Sequence, residues 1–268
     1  MYHYDGSAWT KLDTGQVDVD LWQVFGFAGG DVLFGGSNGT ILRYRAGAFE
    51  KLPTPGANTV FGMWGSSPDD VWAVGGQSAG NPFVWRYQGT NFEVVTGLPA
   101  ELDTGTVWKV TGRAADDVWF SCSRGIVLHW NGSTLSSETI GGTGESLFSI
   151  GCNAASCVTA GTNTTNGVLY ENDGSGWVTN VPTTDGPVWR GVTPTSEQQY
   201  VVGVIGVVLK RTEDRWTLEA HGLTTEAFHA AWGDPEGNVF AVGGKFDRAF
   251  TTDGVMIYKG VVELPPLP

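Results

Sequence analysis

An apolar residue followed by a large aromatic recurs six times along the chain, at Trp22, Phe61, Trp108, Phe148, Trp189 and Phe228, with tryptophan and phenylalanine alternating. The gaps are 39, 47, 40, 41 and 39 residues. A period of about forty residues marks a repeat architecture, in which one unit is too small to bury its own apolar face and must stack on its neighbours. The repeats divide the chain as 21–59, 60–106, 107–146, 147–187, 188–226 and 227–268, with 1–20 left over as an N-terminal half-unit hairpin or closing strand.

Each unit reads as four short strands. The first carries the aromatic, as in Leu21-Trp22-Gln23-Val24-Phe25 and Val107-Trp108-Lys109-Val110. A turn rich in Gly, Pro, Asp and Ser follows, such as Gly65-Ser66-Ser67-Pro68-Asp69-Asp70, whose residues supply positive φ, fixed φ or side-chain bonds to the turn backbone. The second strand is apolar on both faces, as in Val71-Trp72-Ala73-Val74-Gly75, and its last position recurs as Gly36, Gly75, Cys122, Gly161, Gly203 and Gly243. A strand with no polar face is buried on both sides. The third and fourth strands are joined by Asp5-Gly6, Asn131-Gly132 or Asp173-Gly174, the strongest short hairpin signal. No segment has helical periodicity with caps. Four-stranded antiparallel units at this period predict an all-β fold, a β-propeller.

Six first-and-second strand pairs fit the pattern, but seven third-and-fourth pairs do. Met1-Tyr2-His3-Tyr4-Asp5-Gly6-Ser7 matches Val127-Leu128-His129-Trp130-Asn131-Gly132-Ser133 position for position. Six blades are expected, with the N-terminal segment adding an outer strand to the last. Seven blades, or a piece of a longer propeller, is the alternative. Pro265, Pro266 and Pro268 weaken the C-terminal segment as an outer strand, because proline cannot donate to a ladder.

The net charge of −13, from 28 acidic and 15 basic residues, repels phosphate backbones, whose binding rests on Lys and Arg. Neither nucleic acid nor an anionic membrane surface is an expected partner, and no apolar run is long enough for a transmembrane helix. Scarce lysine, abundant Thr, Asn, Gly and Ser, and one well-spaced cysteine pair point to a secreted or cell-surface protein whose signal peptide is not in this chain. Cys152 and Cys157 flank a short turn between strands, where a hairpin would bring them to disulfide distance; two free thiols are the alternative. Cys122 has no partner and reads as a small buried residue. No metal site is expected, because a structural zinc needs four ligands and no second pair exists. No calcium-loop pattern occurs, and Asp13, Asp18 and Asp20 read as a solvated acidic loop. No cofactor is expected.

The stretch Trp64-Gly65-Ser66-Ser67-Pro68-Asp69-Asp70-Val71-Trp72-Ala73-Val74-Gly75 resembles the repeats of secreted bacterial propellers of the BNR/Asp-box class. The turns Asp5-Gly6-Ser7-Ala8-Trp9 and Asp173-Gly174-Ser175-Gly176-Trp177 are similar to degenerate Asp boxes. The resemblance implies fold rather than activity, and makes Asp5 and Asp173 structural turn residues. A looser likeness is to tectonin-type lectin propellers, whose repeats are shorter. Sialidases of the Asp-box class hold a carboxylate with three arginines, but only Arg190 lies on a first strand here.

Two ligand sites are expected. The residues after the periodic aromatics are Gln23, Gly62, Lys109, Ser149, Arg190 and His229. If the first strands surround the axis, these side chains share one depth at a channel mouth, with Lys109 and Arg190 favouring a carboxylate, sulfate or acidic sugar. The plainer reading is a solvated strand start. Alternatively, Trp85 and Tyr87, with His129 and Trp130, offer aromatic faces to a sugar, against a plainer reading of burial between blades. No catalytic residue is marked. The expected function is a non-catalytic extracellular recognition module for carbohydrate or a protein partner; the alternative is a glycoside hydrolase or lyase with its site at the channel mouth.

Overall fold

The computed structural model describes residues 1–77, 80–179, 187–194, 199–212, 215–234, 237–245 and 254–260. It is all-β and six-bladed; two single-turn 3-10 segments, Ala100–Leu102 and Val204–Gly206, are the helical elements described. The first strands are Leu21–Gly26, Thr59–Ser67, Val107–Ala114, Ser146–Cys152, Trp189–Pro194 and Ala227–Gly233. The second strands are Val32–Gly36, Asp70–Gln77, Asp117–Cys122, Cys157–Thr162, Gln199–Gly203 and Val239–Gly244. Third and fourth strands follow in sequence order, every neighbouring pair being antiparallel, so each blade is a simple meander. Blades one to five show four strands. The sixth shows three, ending in Gly254–Lys259, and the proline-rich segment expected to follow lies outside the described residues.

The blades bury their faces on one another, in sequence order. One core cluster joins each consecutive pair: Leu33 and Ile41 with Met63, Trp72 and Val74 with Val107 and Phe120, Val127 with Leu147, Val158 and Leu169 with Trp189, and Val202 with Phe228. Each fully buried aliphatic or aromatic side chain contributes about 1.5–3 kcal/mol to holding its pair of blades.

The recurring glycine at the end of the second strand has a steric cause. A Cβ at Gly75, Gly161 or Gly243 would run into the carbonyl oxygen of Thr59, Ser146 or Ala227, at the start of the paired first strand. Blade three has Cys122 in this place, fully buried, its thiol pKa pushed up by loss of water.

The Asp-Gly turns are structural, as the sequence implies. Asp5 Oδ1 accepts hydrogen bonds from the Ser7 amide at 2.8 Å, the Ser7 hydroxyl at 2.8 Å and the Ala8 amide at 2.9 Å, which lower its pKa to about 2. Asp173 Oδ1 accepts from the Ser175 amide and hydroxyl in the same manner. Cys152 and Cys157 stand directly opposite in the ladder of blade four and form a disulfide.

Tyr2–Tyr4 and Trp9–Lys11 form an antiparallel hairpin, and among the described residues neither strand pairs with a blade.

Candidate functional site

Every first strand carries a β-bulge near its start. The register with the second strand skips Trp22, Phe61, Trp108, Phe148, Arg190 and His229 in the six blades. A bulge re-aims the side chain it frees. Here the freed side chains meet in series. Trp22 and Phe61 have ring centroids 5.8 Å apart, Phe61 and Trp108 5.3 Å, and Trp108 and Phe148 5.2 Å. The Arg190 guanidinium lies 4.3 Å from the Phe148 centroid, a cation–π contact worth about 0.5–2 kcal/mol. His229 comes next, close enough to Arg190 to feel its charge. Six consecutive blades thus place four aromatics and two nitrogen bases in one collar.

This corrects the expected alignment in the last two blades. Trp189 and Phe228 are not collar aromatics. They pair with Gly203 and Gly243, as Leu21, Val60 and Leu147 pair with Gly36, Gly75 and Gly161, and they are fully buried between blades. The true equivalents of Gln23, Gly62, Lys109 and Ser149 are Gly191 and Ala230, one residue beyond Arg190 and His229. A signal was present in four blades: counting four residues back from the glycine at or near the end of the first strand (Gly26, Gly65, Gly112, Gly233) reaches Trp22, Phe61, Trp108 and His229.

Next to the collar, the first strands enclose a cavity of about 620 Å³. Gln23, Lys109, Ser149 and His229 line it, and Arg190 stands outside its lining. Lys109 Nζ donates to Gln23 Oε1 and, at 2.6 Å, to the carbonyl of Phe61. It has no carboxylate partner among the described residues. Loss of water pulls its pKa down from 10.5 to about 8. Loss of water also lowers Arg190, whose Nε is buried with no hydrogen-bond partner. His229 Nε2 lies 2.9 Å from the carbonyl oxygen of Gly244; its pKa is depressed by burial first, with the Arg190 charge adding to the depression and the Gly244 contact opposing it.

Ser149 also joins two blades. Its hydroxyl accepts the Val192 amide of the next blade at 3.0 Å, tying blade four to blade five. The aromatic alternative is not assembled. Trp85 and Tyr87 are buried in the core between blades one and two, with Trp85 stacked on Phe83 at 3.8 Å. His129 stacks on Trp119 at 3.8 Å and bonds to Asp117 at 2.9 Å. Trp130 packs 5.5 Å from Trp72, beside Arg86. Among the described residues no group of His, Cys, Asp and Glu could hold a metal ion, Asp13, Asp18 and Asp20 included.

No protein-family model and no curated protein matches the chain. Solved structures do. The chain is similar to YCF48 bound to a D1 peptide, at 18% identity and a TM-score of 0.52, covering 72% of this chain and 62% of that one. It therefore spans less than two thirds of that protein. It is similar to a nidogen/laminin complex, at 13% identity and a TM-score of 0.57, covering 80% of this chain and 85% of that one. It is also similar to a GH74 enzyme of Niastella koreensis, at 11% identity and a TM-score of 0.60, covering 80% of this chain and 42% of that one. At these identities the likeness is one of fold. The fold is a β-propeller. Propellers of this kind include one solved with a peptide, one solved in a protein complex and one enzyme, so activity has to be argued from the site.

Proposed function

We propose that this chain is a non-catalytic recognition module that takes an anionic group of its ligand, a carboxylate on a peptide or an acidic sugar, at the collar and channel mouth. One observation carries the reading. In a chain of net charge −13, Lys109 lines the cavity and Arg190 stands in the collar beside it, neither with a carboxylate partner among the described residues. A buried polar group without a partner costs free energy, and a ligand carboxylate that pairs with the Arg190 guanidinium offsets that cost. The neighbouring rings of Phe61, Trp108 and Phe148 give an apolar floor on which a sugar or a side chain stacks. A peptide-bound propeller and one in a protein complex among the structural neighbours support a recognition role. The Cys152–Cys157 disulfide supports a secreted or cell-surface setting, and the Asp5 and Asp173 turns support kinship with the Asp-box class.

A glycoside hydrolase working in the channel would use a pair of carboxylic acids. Among the described residues lining the cavity there is no Asp or Glu, and a polar lining of Gln, Lys, Ser, Thr and His favours binding over hydrolysis.

The test is a combined array of uronate- and sialate-bearing glycans and of peptides with free C-termini. Binding by the native protein and its loss in Arg190→Gln and Lys109→Met, with melting temperatures recorded to exclude unfolding, is the expected result. Ligands that bind both variants as well as the native protein sink the reading.

A further inference from the structure

Among the described residues, five of the junctions between blades are joined by a core cluster, and the one between blade six and blade one is not. Equivalent positions measure this directly. The residue two past the bulge packs toward the preceding blade: Met63, Val110, Ile150 and Val192 are 2%, 6%, 5% and 7% exposed, whereas Val24 in blade one is 58% exposed. The second-strand residue opposite the position after the bulge packs toward the following blade: Val74, Ala160 and Val202 are fully buried, whereas Val242 in blade six is 43% exposed. Trp232 has its counterpart in Trp64, which lies against Gly112 of the next blade; Trp232 itself is 58% exposed. Among the described residues no core cluster joins blade six to blade one. Val24, Trp232 and Val242 all open onto the central cavity, so the channel is continuous with this seam.

The N-terminal hairpin supplies the second half of the argument. A constant offset of 126 residues carries its pairs Tyr4↔Trp9, His3↔Thr10 and Tyr2↔Lys11 onto Trp130↔Leu135, His129↔Ser136 and Leu128↔Ser137, the third and fourth strands of blade three. The same offset carries the turn bonds of Asp5 onto those of Asn131, which accepts from the Ser133 amide and hydroxyl and the Thr134 amide. It also carries Leu21, paired with Gly36 before the bulge of blade one, onto Leu147, paired with Gly161 before the bulge of blade four. The hairpin therefore has the pattern of the outer half of a blade. In blade three the corresponding third strand pairs on its inner side with Val118–Ser121; among the described residues Tyr2–Tyr4 has no strand on that side. An open strand edge beside uncovered apolar faces is a template for a further strand.

We propose that the seam between blade six and blade one is a docking site for one more inner strand pair of this same repeat. The occupant is a β-hairpin whose second strand adds to the free edge of Tyr2–Tyr4 and completes a seventh blade. Its chemistry follows from the other junctions. It carries an apolar residue two past its own bulge, which covers Val242 as Met63 covers Gly35. Its second strand is apolar on both faces, covers Val24, and ends in glycine where the first strand's carbonyl leaves no room for a Cβ.

The probe is a synthetic peptide with the sequence of residues 59–77, the inner strand pair of blade two, titrated into the full chain by calorimetry and thermal melting. One-to-one binding that raises the melting temperature is the expected result. Val24→Asp and Val242→Asp change exposed positions, so the chain alone should melt as before. Each should weaken peptide binding about a hundredfold or more, since docking would bury an unpaired carboxylate. No binding, or binding that the Asp variants leave unchanged, overturns the proposal. So does a dimer that the Asp variants dissolve, which would assign the seam to a second copy. A Val24→Cys, Val242→Cys double variant gives an independent check. Ready formation of a disulfide between the two would mean that blade six closes directly on blade one, and would also overturn it.

Discussion

Lys109 of the third blade donates to the Gln23 side chain of the first, reaching past the second blade to do so. It can pass because blade two has Gly62 at the equivalent position, where a Cβ would come 2.9 Å from the Lys109 Cα. The contact gives Lys109 two neutral acceptors and no counter-charge, and its pKa falls to about 8. The folded state then binds fewer protons than the unfolded state between about pH 8 and 10.5, so this group makes stability rise with pH through that window. Lys109→Gln should flatten the rise. The difference between the two proteins is expected to reach about 1–3 kcal/mol by pH 9.5, after allowance for partial access to water. Chemical denaturation at stepped pH measures it. Taking the difference matters because the raised Cys122 thiol has the opposite slope in both proteins.

His229 reports on its neighbour in the collar. Burial is the first cause of its lowered pKa and the Arg190 charge adds to it, while the Gly244 carbonyl opposes both. Arg190→Gln removes the second cause alone. The imidazole pKa should rise, yet remain below 6.5 because burial persists. Proton NMR titration of the His229 ring reads the shift, and no movement would mean that Arg190 and His229 are not neighbours in solution.

The fold could be read from the sequence because its two strongest signals are local. A buried second strand ending in glycine, and an Asp-Gly or Asn-Gly turn before the fourth strand, each appear within a few residues. The collar was less legible. Aromatic identity places Trp22, Phe61, Trp108 and Phe148 correctly, but in blades five and six the bulge falls on Arg190 and His229, and the aromatics before them turn inward to the core. A search for aromatics follows residue type, whereas the bulge follows the register with the second strand. Lys109 was legible as a channel cation. Its bonds to Gln23 and Phe61 were not, since they join residues 86 and 48 positions apart. The hold of the Ser149 hydroxyl on the amide of the following blade was not legible, since nothing in a single strand reveals a partner 43 positions away. Trp85 and Tyr87 lie on a third strand, but blades are covered on both faces, so a place away from the inner strands does not mean exposure.

The glycines that end the second strands should be intolerant of any side chain. Gly75→Ala places a methyl against the Thr59 carbonyl and the Phe83 ring, so backbone or core has to shift. The loss of stability should be about 2 kcal/mol or more. Gly26→Ala is the control. It lies at the end of a first strand with no heavy atom within 4 Å of the added methyl, and it should change stability by no more than about 0.5 kcal/mol. Urea melts of the two variants beside the native protein give the comparison.

The disulfide in blade four closes a very short loop. Cys152 and Cys157 are separated by five positions, and Asn153 Oδ1 already organises the turn between them by accepting from the Ala155 and Ser156 amides, both at 2.9 Å. The entropy removed from the unfolded chain by so small a loop corresponds to about 2 kcal/mol, and the preformed turn makes that an upper figure. Reduction should therefore lower the melting temperature without unfolding the protein. Cys152→Ser with Cys157→Ser should reproduce the reduced protein. Cys122, buried and with its thiol pushed up, should stay unreactive to a thiol reagent until the chain unfolds. Thiol counting in native and denaturing buffer then gives none and one for the oxidised protein. A native count of two would mean that the pair is not bridged.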